Sequence, residues 1–223
     1  METDTDKKRD VRVAMLFDLD GVLVDSETQY SKFWDGINKL YPTGHEDLSA
    51  IIKGTTLVHI LDKYFKPETH SDIISRLDDF EHWMTYDIKP GVISLLTRLG
   101  ELGTPAVMVT SSNDDKMAQL WSQQPELRNY FTHIVTADMI SHSKPDPEGY
   151  LLGARLAGAS PCNCAVFEDA RQGVMAGKAS GAYVVGIAGT LPADALFPYS
   201  DIVVDTLAGF NVDALELLLR ERS

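Results

Sequence analysis

Phe17-Asp18-Leu19-Asp20-Gly21-Val22-Leu23-Val24-Asp25-Ser26 is the stretch that decides how the rest of this chain reads. It follows an apolar run from Val11 that ends abruptly in two carboxylates one residue apart, then a glycine. A short apolar run without alternation reads as a strand buried on both faces, as in a parallel sheet. Ligands of such sheets bind beyond the carboxyl ends of the strands. The two aspartates therefore stand where chemistry is expected.

Working outward, the same pattern recurs. Pro105 to Val109, His133 to Thr136, Cys164 to Phe167, Tyr183 to Ile187 and Asp201 to Val204 are further strand candidates. Helical patterns lie between them. Val92, Leu95, Leu96 and Leu99 repeat at helical spacing after Pro90-Gly91; Gly149 to Leu156 stops at Gly158, and Gly173 to Ser180 stops at Gly181. Glycine just past the last periodic residue is a helix stop. Alternating strands and helices predict an α/β fold, a doubly wound parallel sheet with a Rossmann-like core.

One stretch breaks the alternation. From Glu27 to Asp87 no strand is found. Tyr30, Phe33, Trp34, Ile37, Leu40 and Tyr41 share one helical face, as do Leu57, Ile60, Leu61, Tyr64 and Phe65. Ile73, Ile74, Leu77, Phe80, Trp83 and Met84 form a third stripe. These stripes read as the small core of an α-helical insert. The expected organisation is a flexible tail over 1–10, a catalytic core over 11–26 and 88–223, and a helical domain over 27–87.

Composition narrows the function. Apolar residues make up 44% and charged residues 24%, which excludes a disordered or fibrous chain. Twenty Lys and Arg against 33 Asp and Glu give a net charge of −13. That argues against a nucleic-acid or acidic-membrane partner, both of which need basic residues to neutralise phosphates. It leaves room for a small phosphorylated substrate if a cation or local donors supply positive charge. No apolar run is long enough to span a bilayer. Met1 to Asp10 is polar and does not read as a signal peptide. Cys162 and Cys164 read as two small buried residues on one strand, and two cysteines in all fit a reducing, cytoplasmic setting.

The strand ends carry a specific set. Asp18 and Asp20 follow the first strand, and Thr110-Ser111-Ser112-Asn113 follows the second; Ser143-Lys144-Pro145 comes after the third, and Glu168-Asp169 closes the fourth. Four clustered carboxylates repel one another unless a cation joins them. Oxygen ligands suit Mg2+, and no His or Cys set suits zinc. One carboxylate can attack phosphorus and form an acyl phosphate. A second, two residues on, can protonate the leaving oxygen and then activate water. Thr110, the amides that follow it and Lys144 can hold the transferring oxygens, and Gly21 lets the chain turn sharply beside them. Lys178 after Gly177 is no phosphate loop, because position 172 is Gln and Ala179 carries no hydroxyl.

These residues resemble the four motifs of the haloacid dehalogenase superfamily. Phe17 to Ser26 is similar to the first, Val109 to Asn113 to the second, Ser143-Lys144-Pro145-Asp146-Pro147 to the third, and Phe167-Glu168-Asp169-Ala170 with Gly173 and Ala176 to Gly181 to the fourth. The insert falls where the subgroup related to β-phosphoglucomutase and small sugar-phosphate phosphatases carries its cap. The resemblance implies Asp18 as nucleophile and Mg2+ ligand, and Asp20 as general acid/base lending its main-chain oxygen to the metal. It implies Thr110 and Lys144 on the phosphoryl group, and Glu168 and Asp169 in the metal site. Gly21, Ser111, Ser112 and Asn113, with Lys53 and Gly54 of the insert, are the substrate-side candidates. Lys53-Gly54-Thr55-Thr56 reads equally as a capped turn or as a loop facing substrate.

Departures from the family's mutases direct the choice of activity. Tyr30, Leu57 and Asn113 stand where those mutases carry His, Arg and Lys. A mutase must grip the phosphate that is not reacting, and neutral residues there weaken that reading. The sequence therefore predicts a Mg2+-dependent phosphatase for a small, sugar-phosphate-like metabolite, and the resemblance implies a monomer. The alternatives are a β-phosphoglucomutase or, in another class, a phospho-acceptor signalling domain built on the same kind of sheet. The helical insert and the Asp18/Asp20 pair argue against the last.

Overall fold

The structure is a computed structural model, and it describes residues 12–222. The expected tail over 1–10 lies outside the described residues. The elements are β1 (Ala14–Phe17), α1 (Glu27–Leu40), α2 (Leu48–Ile51), α3 (Leu57–Tyr64), α4 (His70–Trp83), α5 (Val92–Leu102), β2 (Ala106–Val109), α6 (Asp114–Gln123), β3 (His133–Val135), α7 (Glu148–Ala157), β4 (Cys164–Glu168), α8 (Arg171–Ser180), β5 (Tyr183–Ile187), α9 (Ala193–Leu196), β6 (Ile202–Val204) and α10 (Val212–Glu221). The six strands form one parallel sheet in the order β3-β2-β1-β4-β5-β6. Leu16 pairs with Val107 on one side and Val166 on the other, so β1 is central. A doubly wound sheet of this order opens its crevice at the carboxyl ends of the central strands.

Alternation along each strand feeds two cores. Met15, Phe17, Met108, Ala165 and Phe167 face a layer completed by Leu95, Leu96 and Leu99 of α5, Leu120 of α6 and Leu215 and Leu219 of α10. Ala14, Leu16, Val107, Val109, Cys164 and Val166 face the opposite layer, under Tyr150, Ala154 and Ala157 of α7 and Ala176 of α8. All of these strand residues are buried, which is why their sequence reads as continuous apolar runs rather than alternation.

Between β1 and α5 the chain leaves the sheet and returns beside its own exit. The Asp25 amide donates to the Asp87 carbonyl at 2.8 Å and the Lys89 amide to the Leu23 carbonyl at 3.0 Å. Between those crossings α1 to α4 enclose a separate cluster of Trp34, Ile37, Leu48, Ile52, Ile60, Leu61, Phe65 and Ile73.

Several expectations need correction. Leu40, Ile74 and Trp83 lie on the predicted stripes but are exposed, Trp83 at 81%. Leu40 and Trp83 are the last residues of their helices, past the point where the neighbouring helix covers them. Cys162 is exposed in a short 3-10 turn (Pro161–Asn163), and only Cys164 is on the strand. Burial pushes the Cys164 thiol up to about 12, so it stays protonated.

Candidate active site

Asp18 leaves the end of β1 with its amide donating to the Phe167 carbonyl at 3.0 Å, and its side chain is buried. Lys144 Nζ donates to Asp18 Oδ1 at 2.6 Å and to Glu168 Oε1 at 2.7 Å. One ammonium therefore ties together two strand ends that neighbour each other in the sheet. Burial opposes the charge on Lys144, but Asp18 and Glu168 outweigh it and hold its pKa above the usual lysine value. Burial drives Asp18 the other way, up to about 8. Glu168 and Asp20 add to that rise, and Lys144 only partly offsets it.

Glu168 is fully buried and fully engaged. Its Oε1 also accepts from the Tyr150 hydroxyl at 2.7 Å; its Oε2 accepts from the Asp169 and Ala170 amides at 3.0 and 3.2 Å. A Cβ on Gly173 would fall 1.8 Å from Oε1, so only glycine leaves room for this carboxylate. Asp169, 1% exposed, differs: its Oδ2 has no hydrogen-bond partner. Burial, then Glu27, Glu168 and Asp18, raise its pKa well above the ordinary carboxylate range. Asp18, Glu168 and Asp169 each bring an oxygen within 4.8 Å of the others'. An all-oxygen set, with a buried carboxylate oxygen left unsatisfied, is the chemistry of a hard divalent cation site.

Asp20 points away from this cluster. Ser26 Oγ donates to its Oδ1, Lys116 Nζ to its Oδ2 at 2.6 Å, and Ser112 Oγ to the same oxygen at 3.3 Å. Gly21 turns the chain with φ 75°. Thr110 is buried, and its Oγ1 accepts from the Ser112 amide at 3.0 Å. Ser111 Oγ donates to the Gly54 carbonyl at 2.9 Å, joining the β2 end to the insert. Asn113 caps α6, its Oδ1 accepting from the Lys116 amide at 3.0 Å. Lys53 forms an ion pair with Glu27 at 2.9 Å. A cavity of about 1140 Å³ opens between sheet edge and insert, and Asp18, Asp20, Lys53, Gly54, Ser112 and Asn113 are among its lining residues. Lys178 lies elsewhere, bonded to Asp201 at 3.0 Å.

Sequence reading missed Lys116 and Tyr150. Lys116 is buried beside Asp20 and lies 4.2 Å from the centroid of the Tyr30 ring. Its signal was spacing: it falls three residues after Asn113 and four before Leu120, on the face of α6 that turns inward. Tyr150 shares a helix face with Ala154, and its hydroxyl needs a buried partner.

Such a sheet, with carboxylates and a lysine gathered at its carboxyl edge under a helical insertion, defines a Rossmann-like protein with an acidic, oxygen-lined site at its strand ends. Residues 13–181 match the family model of haloacid dehalogenase-like hydrolases. The chain is 34% identical over 190 residues to hexitol phosphatase A of Escherichia coli, covering 80% of this chain and 83% of that protein. It is 30% identical over 222 residues to glycerol-1-phosphate phosphohydrolase 2 of Saccharomyces cerevisiae, covering 92% and 88%. Among solved structures, β-phosphoglucomutase from Clostridium difficile superposes with a TM-score of 0.78 at 21% identity, covering 95% of this chain and 98% of that one. The chain belongs to the haloacid dehalogenase-like hydrolase family.

Proposed function

We propose that this hydrolase is a Mg2+-dependent phosphatase that releases phosphate from a small, sugar-phosphate-like metabolite through a phosphoryl group carried on Asp18. The observation that carries this reading is the Asp18–Lys144–Glu168 cluster with the unsatisfied Asp169 oxygen beside it. Asp18, Asp169 and the main-chain oxygen of Asp20 would hold Mg2+, with Glu168 behind them. Bound there, Mg2+ supplies charge that keeps Asp18 ionised and neutralises the substrate phosphate.

The chain's own groups account for the rest. Asp18 attacks phosphorus, Lys144 and Thr110 hold the transferring oxygens, and Asp20 gives a proton to the leaving oxygen. Asp20 then takes a proton from the water that cleaves the acyl phosphate. Glu168 fixes Lys144 toward Asp18. The insert over 27–87 acts as a cap on the core formed by 11–26 and 88–223, closing the cavity over substrate and excluding water. Lys53, Gly54, Ser111, Ser112 and Asn113 face the substrate.

Phosphatase is favoured over mutase by charge. Lys53 and Lys116, the buried or half-buried lysines facing the cap-side cleft, are each paired with a carboxylate. Neither is free to grip a second phosphate, and the remaining lysine of the lining, Lys63, is exposed and lies over the Tyr64 ring. Hexitol phosphatase A and glycerol-1-phosphate phosphohydrolase 2 are named for phosphorylated polyols, which supports a small polyhydroxy leaving group. The test is phosphate release from a panel of sugar, polyol and nucleoside monophosphates and pyrophosphate, with Mg2+ and with EDTA. Metal-dependent release from one class of alkyl monoester is the expected result. Conversion of β-glucose 1-phosphate to glucose 6-phosphate without released phosphate would sink the phosphatase reading.

A further inference from the structure

Lys116 poses a question that packing does not answer. It sits on the inward face of α6 beside Met117 and Leu120, with its side chain 7% exposed. A leucine or methionine there would bury apolar surface at no electrostatic cost, whereas a buried ammonium is expensive unless it is paired. The ammonium is held on two sides. Asp20 Oδ2 lies 2.6 Å away, and the Tyr30 ring centroid is 4.2 Å away, within cation–π range. The Tyr30 hydroxyl donates to Glu81 Oε1 at 2.6 Å. Tyr30 belongs to α1 and Glu81 to α4, so the chain of contacts runs from the sheet edge through Lys116 into the helical insert. Of the side chains that donate to Asp20, Ser26, Ser112 and Lys116, only Lys116 carries charge.

We propose that Lys116 is the positioning residue for Asp20, fixing its carboxylate against the insert and balancing the charge it acquires on giving up its proton. The proposal rests on Asp20 acting as the general acid/base. In the first step the Asp18 oxygen bonds to phosphorus as the phosphorus–leaving-oxygen bond breaks. The Asp20 proton moves to that oxygen, so a neutral alcohol departs and Asp20 remains a carboxylate facing Lys116. In the second step the water oxygen bonds to phosphorus, the Asp18–phosphorus bond breaks, and Asp20 recovers a proton from the water. Lys116 is held by Asp20 and Tyr30, and its part in the reaction is played through Asp20.

Leaving-group dependence separates this role from a structural one. The probes are 4-nitrophenyl phosphate, whose phenolate departs without a proton, and the alkyl monoester that the wild type hydrolyses fastest. The quantity is kcat/KM, which covers steps up to leaving-group departure. In both Lys116→Met and Lys116→Gln the alkyl value should fall about 100-fold, the scale of general-acid catalysis, while the aryl value falls less than about threefold. The surviving aryl reaction shows that the site is folded. Equal losses on both substrates, or no loss on either, would overturn the proposal. Asp20→Asn is the control. If it splits the substrates and the Lys116 variants do not, the positioning role fails alone; if it does not, the acid/base reading of Asp20 has failed as well.

Discussion

A side chain at residue 21 and the carboxylate of Asp169 cannot both occupy their places: a Cβ on Gly21 would stand 1.7 Å from Asp169 Oδ2. Gly21 also holds φ 75°, where any other residue is strained. The glycine after the two aspartates thus belongs to the proposed cation site, because it leaves room for Asp169 Oδ2, the buried carboxylate oxygen that lacks a partner among the described residues. Gly21→Ala should lower kcat/KM on the alkyl monoester by at least about 100-fold, as misplacement by an ångström does. It should also raise the Mg2+ concentration needed for half-maximal rate. Unchanged metal dependence in steady-state kinetics would contradict this.

Tyr150 makes a second, quieter contribution. Its hydroxyl donates to the fully buried Glu168, which in turn holds Lys144. Tyr150→Phe removes a hydrogen bond to a charged group and should cost about 1.5–3 kcal/mol of stability in urea denaturation. Catalysis should weaken less than in Lys144→Met, since Lys144 keeps its bond to Asp18. A variant as stable as the wild type would show that the hydroxyl contributes nothing there.

Asp169 should trade stability for function. It is buried among carboxylates and has an unsatisfied oxygen, so in EDTA its charge opposes folding. Asp169→Asn should raise the metal-free Tm and abolish the Tm increase that the wild type shows on adding Mg2+, since a ligand that binds only the folded state stabilises it. Differential scanning fluorimetry with a Mg2+ titration reads both effects. A variant still stabilised by Mg2+ to the wild-type extent would remove Asp169 from the site.

Much of this site was legible because parallel strands announce themselves. Val107, Met108 and Val109, or Ala165, Val166 and Phe167, are buried on both sides of the sheet, and the polar residue that ends each run marks the edge. Asp18, Thr110 and Glu168 were found that way, and Lys144 by its place after the third strand. Lys116 was not, because a lysine in an amphipathic helix ordinarily faces solvent and its burial is explained by tertiary contacts with Asp20 and the Tyr30 ring. Trp83 erred in the other direction: its spacing fits the buried stripe, but it ends α4 beyond the helices that cover Ile73 and Leu77. Periodicity names a face and cannot say whether anything packs against it.

The charge of the whole chain bears on how substrate arrives. With a net charge of −13, the long-range field repels an anionic phosphate monoester, and capture depends on local groups. Added salt screens that repulsion over about 10 Å at 0.1 M. At saturating Mg2+, kcat/KM should rise slightly or stay level between low salt and about 0.2 M NaCl, where screening is well developed. A steep fall would mean that attraction, not repulsion, governs encounter.

The central claim is that Asp18 carries the phosphoryl group, and the most direct measurement traps it there. Acid-quenching the enzyme during turnover of its best substrate with Mg2+, reducing with borohydride and sequencing the peptides by mass spectrometry should show homoserine in place of aspartate at position 18. Asp18→Asn, treated alike, should give none. Unmodified Asp18 in an enzyme quenched while releasing phosphate, even from 4-nitrophenyl phosphate, whose fast first step should leave hydrolysis of the intermediate rate-limiting and so accumulate it, would contradict the account.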